Sequence, residues 1–368
     1  MKKIKRVLIL EPYFGGSHRF FLEGLQVHVA ADYTIFTMPA RKWKMRMQLS
    51  ALWCIEKIKG LPLCERRFDA VLCSSFIDVA VLRALLTKVK GWDYTTRICT
   101  YFHENQFFYP ERQAEPKSFQ FAAINFHSAL ASDKIAFNSS YNAETFFSGC
   151  QKYLQTAAEM GLSAATIELK NRSCILYPGI DFTPIDRQKR VSDPEPPVIV
   201  WNHRWEHDKN PDRFFQALTE ISSSGIDFRL ILVGKSFPNS PQCFADAKNV
   251  FGERIIHSGY APSYADYVAL LCRGNVVVST AFHEFFGIAI IEAVRAGCLP
   301  LLPDRLVYPE FFAKEYLYRE NELTEKLERA IVHRSRLPPE NAHAITQRFS
   351  WQNLVPRYRQ WLLDEDAG

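Results

Sequence analysis

The sequence predicts an α/β protein made of two doubly wound parallel-sheet domains in tandem, facing each other across a cleft. Three observations point there. The chain has 368 residues, enough for two domains that each bury a core. Short β-rich apolar runs alternate with longer helical patterns, as parallel strands joined by crossover helices require. The alternation pauses once, between Thr183 and Pro197, in a polar stretch that holds four of the twenty prolines, and then restarts.

The first set of strands reads as Arg6 to Leu10, Tyr33 to Met38, Ala70 to Cys73, Arg97 to Phe102 and Lys134 to Asn138. The second reads as Val198 to Trp201, Phe228 to Val233, Arg254 to Ile256, Val276 to Ser279 and Leu299 to Leu302. These give an N-terminal domain over 1–183, a linker over 184–197, a C-terminal domain over 198–348 and a closing helix over 349–368. In that last segment Trp351, Leu354, Val355, Tyr358, Trp361 and Leu362 lie on or near one face, so the helix needs a surface to cover, expected on the N-terminal domain.

Composition narrows the class. With 47% hydrophobic and 23% charged residues the chain is outside the regimes of disorder and of coiled coils. No apolar run approaches the roughly 18 residues needed to span a bilayer. The basic start is followed by Val7-Leu8-Ile9-Leu10, which stops at Glu11-Pro12, too short for a signal peptide and suited to a first strand. Nine cysteines without a C-x-x-C pair indicate neither a disulfide framework nor a zinc knuckle, and a cytoplasmic location is expected. The net charge of +5 divides unevenly, about +9 over residues 1–190 and −4 over 191–368, so an anionic partner is expected on the first half.

Four strand-to-helix corners carry the chemistry. In Ser279–Ala293 a strand ends, a loop presents Glu284, and a helix begins near Gly287 with Glu292 inside it. Carboxylates so placed accept hydrogen bonds from sugar and ribose hydroxyls, while the free N–H groups of the helix start face an anion. In Trp201–Pro211 a loop offers Arg204 and Lys209, two cations suited to a diphosphate, and Asn210-Pro211 takes the capping positions of the next helix. His203 and His207 at a spacing of four lack a third ligand nearby and are expected to pack rather than bind zinc. The remaining corners are Glu11–His18, with Gly15-Gly16 allowing close backbone approach, and Tyr101–Gln106, where His103, Glu104, Asn105 and Gln106 need polar partners. The bland alternatives are solvated helix-start carboxylates and ordinary turns.

Together these residues resemble the retaining GT-B glycosyltransferases with an E-x7-E motif: Glu284 and Glu292 with Phe286-Gly287, the Arg204/Lys209 loop, Gly15-Gly16, and a terminal helix opening Phe349-Ser350-Trp351. More narrowly, Glu11–His18, His103–Tyr109 with Pro110, Trp201–Lys209, His283–Glu292 and Leu306–Glu310 are similar to the tRNA-queuosine α-mannosyltransferase family, over nearly the whole chain. The resemblance implies transfer of mannose from GDP-mannose to the queuosine base at the wobble position of tRNA, by family likeness tRNA-Asp. It implies Glu284 on the mannose hydroxyls, Glu292 on the ribose, Arg204 and Lys209 on the diphosphate, and His103 near the reacting carbon. Gly15, Gly16, Phe285, Phe286, Gly287 and Ile288 would line the sugar and phosphate pocket, with Lys235 and Tyr260 near the base. His18, Glu104, Asn105 and Gln106 would meet the acceptor.

Arg204 and Lys209 would stabilise the departing diphosphate, and Asp364-Glu365-Asp366 lies in a polar tail, so neither a metal nor another cofactor is expected. The segment Arg41, Lys42, Trp43, Lys44 and Arg46 is expected to grip RNA. Apolar and basic residues alternate with period two over 43–49, which argues against a clean amphipathic helix. Rival readings are a GT-B enzyme acting on a lipid or small molecule at a membrane surface, a non-catalytic tRNA-binding protein, and a nucleotide-sugar epimerase. No obligate protein partner is expected.

Overall fold

The computed structural model describes residues 4–108, 119–190 and 196–365. The chain divides into two units, one formed by Met1–Gly179 with Trp351–Gly368 and the other by Ile180–Ser350.

The first unit is built on β1 (Arg6–Phe14), β2 (Asp32–Pro39), β3 (Ala70–Ser74), β4 (Arg97–Phe102), β5 (Lys134–Phe137) and β6 (Ser173–Ile175), all parallel, in the order β2-β1-β3-β4-β5-β6. Every residue of β3 is buried because helices cover both faces of the sheet. On one face Phe21, Leu22 and Leu25 of helix Gly16–His28 pack with Trp351, Leu354 and Tyr358. On the other, Ala51, Cys54, Ile55 and Ile58 of helix Trp43–Lys59 meet Val79, Leu82 and Leu86. The closing helix Trp351–Tyr358, continued by a π turn at Arg359–Leu363, therefore completes the core of the first unit. Its Trp351 indole sits so close that a Cβ at Gly24 would lie 2.5 Å from it and one at Gly179 2.2 Å. Asp364 anchors the far end by pairing with Arg97 and Lys134.

The second unit carries β7 (Val198–Trp201), β8 (Arg229–Val233), β9 (Ile255–Gly259), β10 (Val276–Val278), β11 (Leu299–Pro303) and β12 (Leu317–Tyr318), parallel, in the order β12-β11-β10-β7-β8-β9. Trp201, Phe214, Phe228, Phe244 and Leu327 stand at the centre of its core.

Several expectations change. β6 and β12 have three and two residues, too few for a periodic signal, and the sequence reading passed over both. β1 runs on through Glu11 to Phe14, so Glu11 is a buried strand residue rather than part of a loop. The segment from Trp43 is helical to Lys59: Met47, Ser50, Ala51, Cys54, Ile55 and Ile58 form the buried stripe at spacings of three and four, which overrides the local alternation. The stretch expected as a linker is partly folded. Thr183–Arg187 is a short helix with Ile185 buried, and Asp186 takes both ends of the Arg295 guanidinium at 2.6 Å, so these residues belong to the second unit. Lys2, Lys3, Tyr109, Pro110 and Asp366 lie outside the described residues.

Both sheets reverse their order of connection once, between β1 and β3 and between β7 and β10. Loops diverge at such points and leave a crevice at the carboxyl ends of the strands. The polar residues singled out above gather there.

Candidate active site

In the second unit the loops after β7 and β10 are fastened together. Phe282 N donates to Asp208 O at 2.8 Å, and the Thr280 hydroxyl faces Lys209 O at 3.0 Å and Asn210 O at 2.7 Å. The turn after β8 presses on them: a Cβ at Gly234 would lie 1.9 Å from His203 O, and Trp205 N donates to Lys235 O. Asn210 occupies the capping position before Pro211 as expected, but in the left-handed region (φ 51°) and without a side-chain bond, so it turns the chain rather than capping the helix.

Glu284 and Lys209 form the centre. Glu284 Oε1 accepts from Gly287 N at 3.1 Å and Phe286 N at 3.3 Å, and Gly287 adopts φ 83°, the left-handed turn that starts helix Ile288–Arg295. Glu284 Oε2 lies 3.3 Å from Lys209 Nζ. Burial opposes ionisation, but Lys209, then His203, the Phe286 amide and His283, hold the Glu284 carboxyl down to about 2. Lys209 is buried; burial opposes its charge, and Glu284 and Asp208 outweigh that and raise it. Its ammonium reaches His283 O at 2.7 Å, Glu284 at 3.3 Å and Asp208 at 3.3 Å. An ammonium has three hydrogens. All three have protein acceptors, so Lys209 holds Glu284 in place.

Arg204 is exposed where Lys209 is buried. Its side chain is half exposed and pairs with Glu206 at 2.9 Å, a contact weak enough to exchange for an incoming phosphate. His203 is buried, and burial followed by the Lys209 charge lowers it to about 4, so it is neutral at pH 7. His207 is exposed, and the two histidines share no site.

Glu292 sits inside helix Ile288–Arg295. Tyr264 donates to its Oε1 at 2.8 Å and Tyr267 to its Oε2 at 3.1 Å, while Asn202 bonds Tyr267 at 3.1 Å and Ala289 O at 2.6 Å. Burial raises Glu292 to about 7, against the pull of both phenols. Tyr264 and Tyr267 were missed in the sequence, though their spacing of three on helix Tyr264–Leu271 was a legible signal of a shared face. Phe285 stands edge-on to His283, and Phe286 packs on Phe311 and Phe349, so both act as buried supports whose backbone lines the loop. Lys235 is exposed with its ammonium over Phe237, and Tyr260 is 73% exposed. Among the described residues neither bonds Glu284 or Glu292.

The first unit gathers its own cluster at the ends of β1, β3 and β4. His18 Nδ1 donates to Glu11 Oε2 at 2.8 Å, and its Nε2 faces Glu104 Oε2 at 3.4 Å. Ser74 and Tyr13 N bond Glu11 Oε1 at 3.2 and 2.7 Å, and Ser75 bonds Glu104 Oε1 at 3.3 Å. Burial works against a charge on His18, but Glu11 and Glu104 outweigh it and raise it to about 10. His103, whose ring lies 4.0 Å from that of His18 and tilted 32° to it, is pushed well below its ordinary value by burial and by that neighbouring charge. An imidazolium thus lies against a neutral imidazole, held between two carboxylates.

Glu11, His18 and His103 have ligand atoms within 4.8 Å of one another. A metal needs converging lone pairs. Both His18 nitrogens already face carboxylates, so the group is suited to holding a proton.

Asn105 does not join this cluster. It is fully buried, its amide donates to Asn142 and Thr145, and its oxygen accepts from Phe107 N. With its bonds satisfied internally it fastens the loop. Gln106 is half-buried, its backbone N held by Asn125 at 2.9 Å. Gly15 is extended, with a hypothetical Cβ 2.6 Å from Ala40, and Gly16 turns with φ 53° into the helix that carries His18.

The basic segment lies beside this cluster. Trp43 packs on Phe121 at 5.1 Å and on Phe76 at 6.3 Å, and Phe76 in turn lies 5.2 Å from His18. Trp43 is therefore a partly buried ring packed on its neighbours. Arg41 and Lys42 are exposed, Lys44 lies over Trp43 at 5.9 Å, and Arg46 Nε approaches Arg41 O at 3.4 Å.

Comparison with known proteins separates fold from family. Solved structures cover nearly all of this chain: sucrose-phosphate synthase from Thermosynechococcus elongatus at a TM-score of 0.70 and 14% identity, over 97% of this chain and 98% of that one, and the catalytic domain of starch synthase IV from Arabidopsis thaliana at 0.67 and 12%, over 98% and 99%. They establish the GT-B architecture. Residues 182–348 match the family "Glycosyl transferases group 1", and residues 6–180 match "tRNA-queuosine alpha-mannosyltransferase N-terminal". The boundary between the matches falls at the division between the two units. A GDP-mannose:cellobiosyl-diphosphopolyprenol alpha-mannosyltransferase of Xanthomonas campestris is 27% identical over 111 residues, 29% of this chain and 28% of that protein. The tRNA-queuosine alpha-mannosyltransferase of Drosophila melanogaster is 32% identical over 96% of this chain and 95% of its own length. A match of that extent across both units, with the queuosine-type N-terminal half joined to a group 1 transferase half, places this chain in the tRNA-queuosine alpha-mannosyltransferase family.

Proposed function

We propose that this chain transfers mannose from GDP-mannose to the queuosine base of tRNA, with retention at the sugar carbon and without a metal. The observation that carries the reading is the end-to-end match to the Drosophila melanogaster enzyme. The second unit holds the donor. Glu284, kept ionised by Lys209 and two amides, accepts hydrogen bonds from mannose hydroxyls. Glu292, steadied by Tyr264 and Tyr267, accepts from the ribose. Arg204 turns from Glu206 to the diphosphate, and the helix start at Gly287–Ile288 adds partial positive charge as the leaving group departs. In the first unit His103 stays neutral and acts at the reacting carbon, while the Glu11–His18–Glu104 group meets the acceptor. Arg41, Lys42 and Arg46 hold RNA phosphates.

The test is incubation with GDP-mannose and queuosine-containing tRNA, followed by mass spectrometry of the nucleosides. A queuosine heavier by one hexose is expected. Release of free mannose with an unmodified nucleoside would refute the acceptor. A lipid acceptor is the second reading, favoured by the exposed stripe Met45, Leu49 and Leu52 beside Arg41 and Lys42 on the same segment. It predicts label in a polyprenyl-diphosphate acceptor and none in tRNA.

A further inference from the structure

Resting on an RNA acceptor, we propose that the second unit carries an anion site apart from the donor residues, which takes a phosphate of the RNA backbone. The site is a cavity of about 320 Å³ at the carboxyl ends of β11 and β12, lined by Arg213, Arg305, Arg319, Thr280 and the acids Asp304 and Glu320. None of Arg204, Lys209, Glu284 or Glu292 lines it.

Three guanidinium groups reach this cavity from separate elements: helix Pro211–Ser223, the turn after β11 and the residue after β12. Among the described residues none of the three has a carboxylate within ion-pair distance. Arg305 donates to Ala281 O at 3.2 Å, Arg213 reaches Thr324 Oγ1 only at 3.4 Å, and Arg213 Nη1 is buried without an acceptor. Like charges converging on one hollow repel, and an unmet guanidinium donor is costly. A phosphate relieves both, since its oxygens match the planar donor fork. The N-terminal end of the thirteen-residue helix at Asn210–Pro211 adds positive potential on the same wall. Asp304 and Glu320 are exposed, where water screens their opposition.

The experiment measures binding of labelled tRNA over a salt series for the full chain, Arg319→Ala, Arg213→Ala and Arg319→Lys, with GDP-mannose and inorganic phosphate binding measured in parallel. Each alanine variant should weaken tRNA binding and lower the log–log salt slope by about 0.9, the value of one phosphate contact, while Arg319→Lys keeps most of the slope and GDP-mannose binding is unchanged. Alanine variants that bind tRNA with the parent's affinity and slope would overturn the site and leave the RNA acceptor standing. A parent chain that binds no tRNA would overturn both. Loss of inorganic phosphate binding with tRNA binding intact would assign the cavity to a soluble phosphate and overturn the RNA assignment.

Discussion

Glu292→Gln should make the protein more stable above neutral pH while weakening its hold on the donor. The side chain is 5% exposed, and burial raises its carboxyl from 4.5 to about 7, even though Tyr264 and Tyr267 both favour the charged form. In the unfolded chain the same group ionises near 4.5. Below that value both states carry the proton. Between 4.5 and about 7 the folded state keeps a proton that the unfolded state has released, so stability falls as pH rises, and above 7 the loss is complete. At 1.36 kcal/mol per pH unit the whole gap is worth about 3 kcal/mol, of which about 2 to 3 kcal/mol falls between pH 5 and pH 8. Glutamine keeps the shape and has nothing to titrate. The readout is the difference in unfolding free energy between variant and parent at each pH, which should grow by that amount, roughly 5–10 °C in melting temperature for a unit of this size. His18, raised to about 10, stabilises the fold below 6.5 and loses that contribution from 6.5 to about 10, but it does so in both proteins and cancels. Glu284, held near 2, is ionised throughout this range. Parallel stability curves from pH 5 to pH 8 would refute the reasoning. A parallel rise in the Kd for GDP-mannose would show a group retained for binding at a cost in stability.

Lys209→Met strands Glu284 and Asp208 without their buried cation and should cost about 3–5 kcal/mol in thermal or denaturant unfolding. Adding Glu284→Gln should recover part of it, and strictly additive losses would sever the proposed coupling. Asn105→Ala removes bonds to Asn142, Thr145 and Phe107 N and should cost about 1–3 kcal/mol while leaving the KM for acceptor unchanged; a raised KM at unchanged stability would return Asn105 to the acceptor site. Arg204→Ala should lower turnover about 10²-fold or more with an unaltered melting temperature, because its side chain is 52% exposed. Unchanged turnover would remove its role at the diphosphate.

Local pattern was sufficient for much of this protein. A run such as Val7-Leu8-Ile9-Leu10 can be satisfied only as a strand covered on both faces, and the alternation of such runs with helical stretches dictates two parallel sheets. The same logic placed Glu284, Arg204 and His103 in the loops after strands and Glu292 in the helix that follows, where chemistry collects. What the linear pattern did not carry was which charges cancel. Lys209 and Arg204 look equivalent five residues apart, yet only the fastening of the 279–287 loop onto the 203–210 loop brings Asp208, Glu284 and His283 O around Lys209 and buries it, while Arg204 stays exposed. Glu11 reads as the first loop residue until pairing with β2 extends β1 past it and buries it against His18. Asn105 reads as a reactive neighbour of His103 until helix Ser140–Gln155 supplies its partners. Sequence determines element type because backbone geometry and burial act on neighbours in the chain. Tertiary structure alone decides protonation and availability, because those depend on desolvation and on charges brought within a few ångströms from distant positions, as Glu104 is brought to His18 across 86 residues.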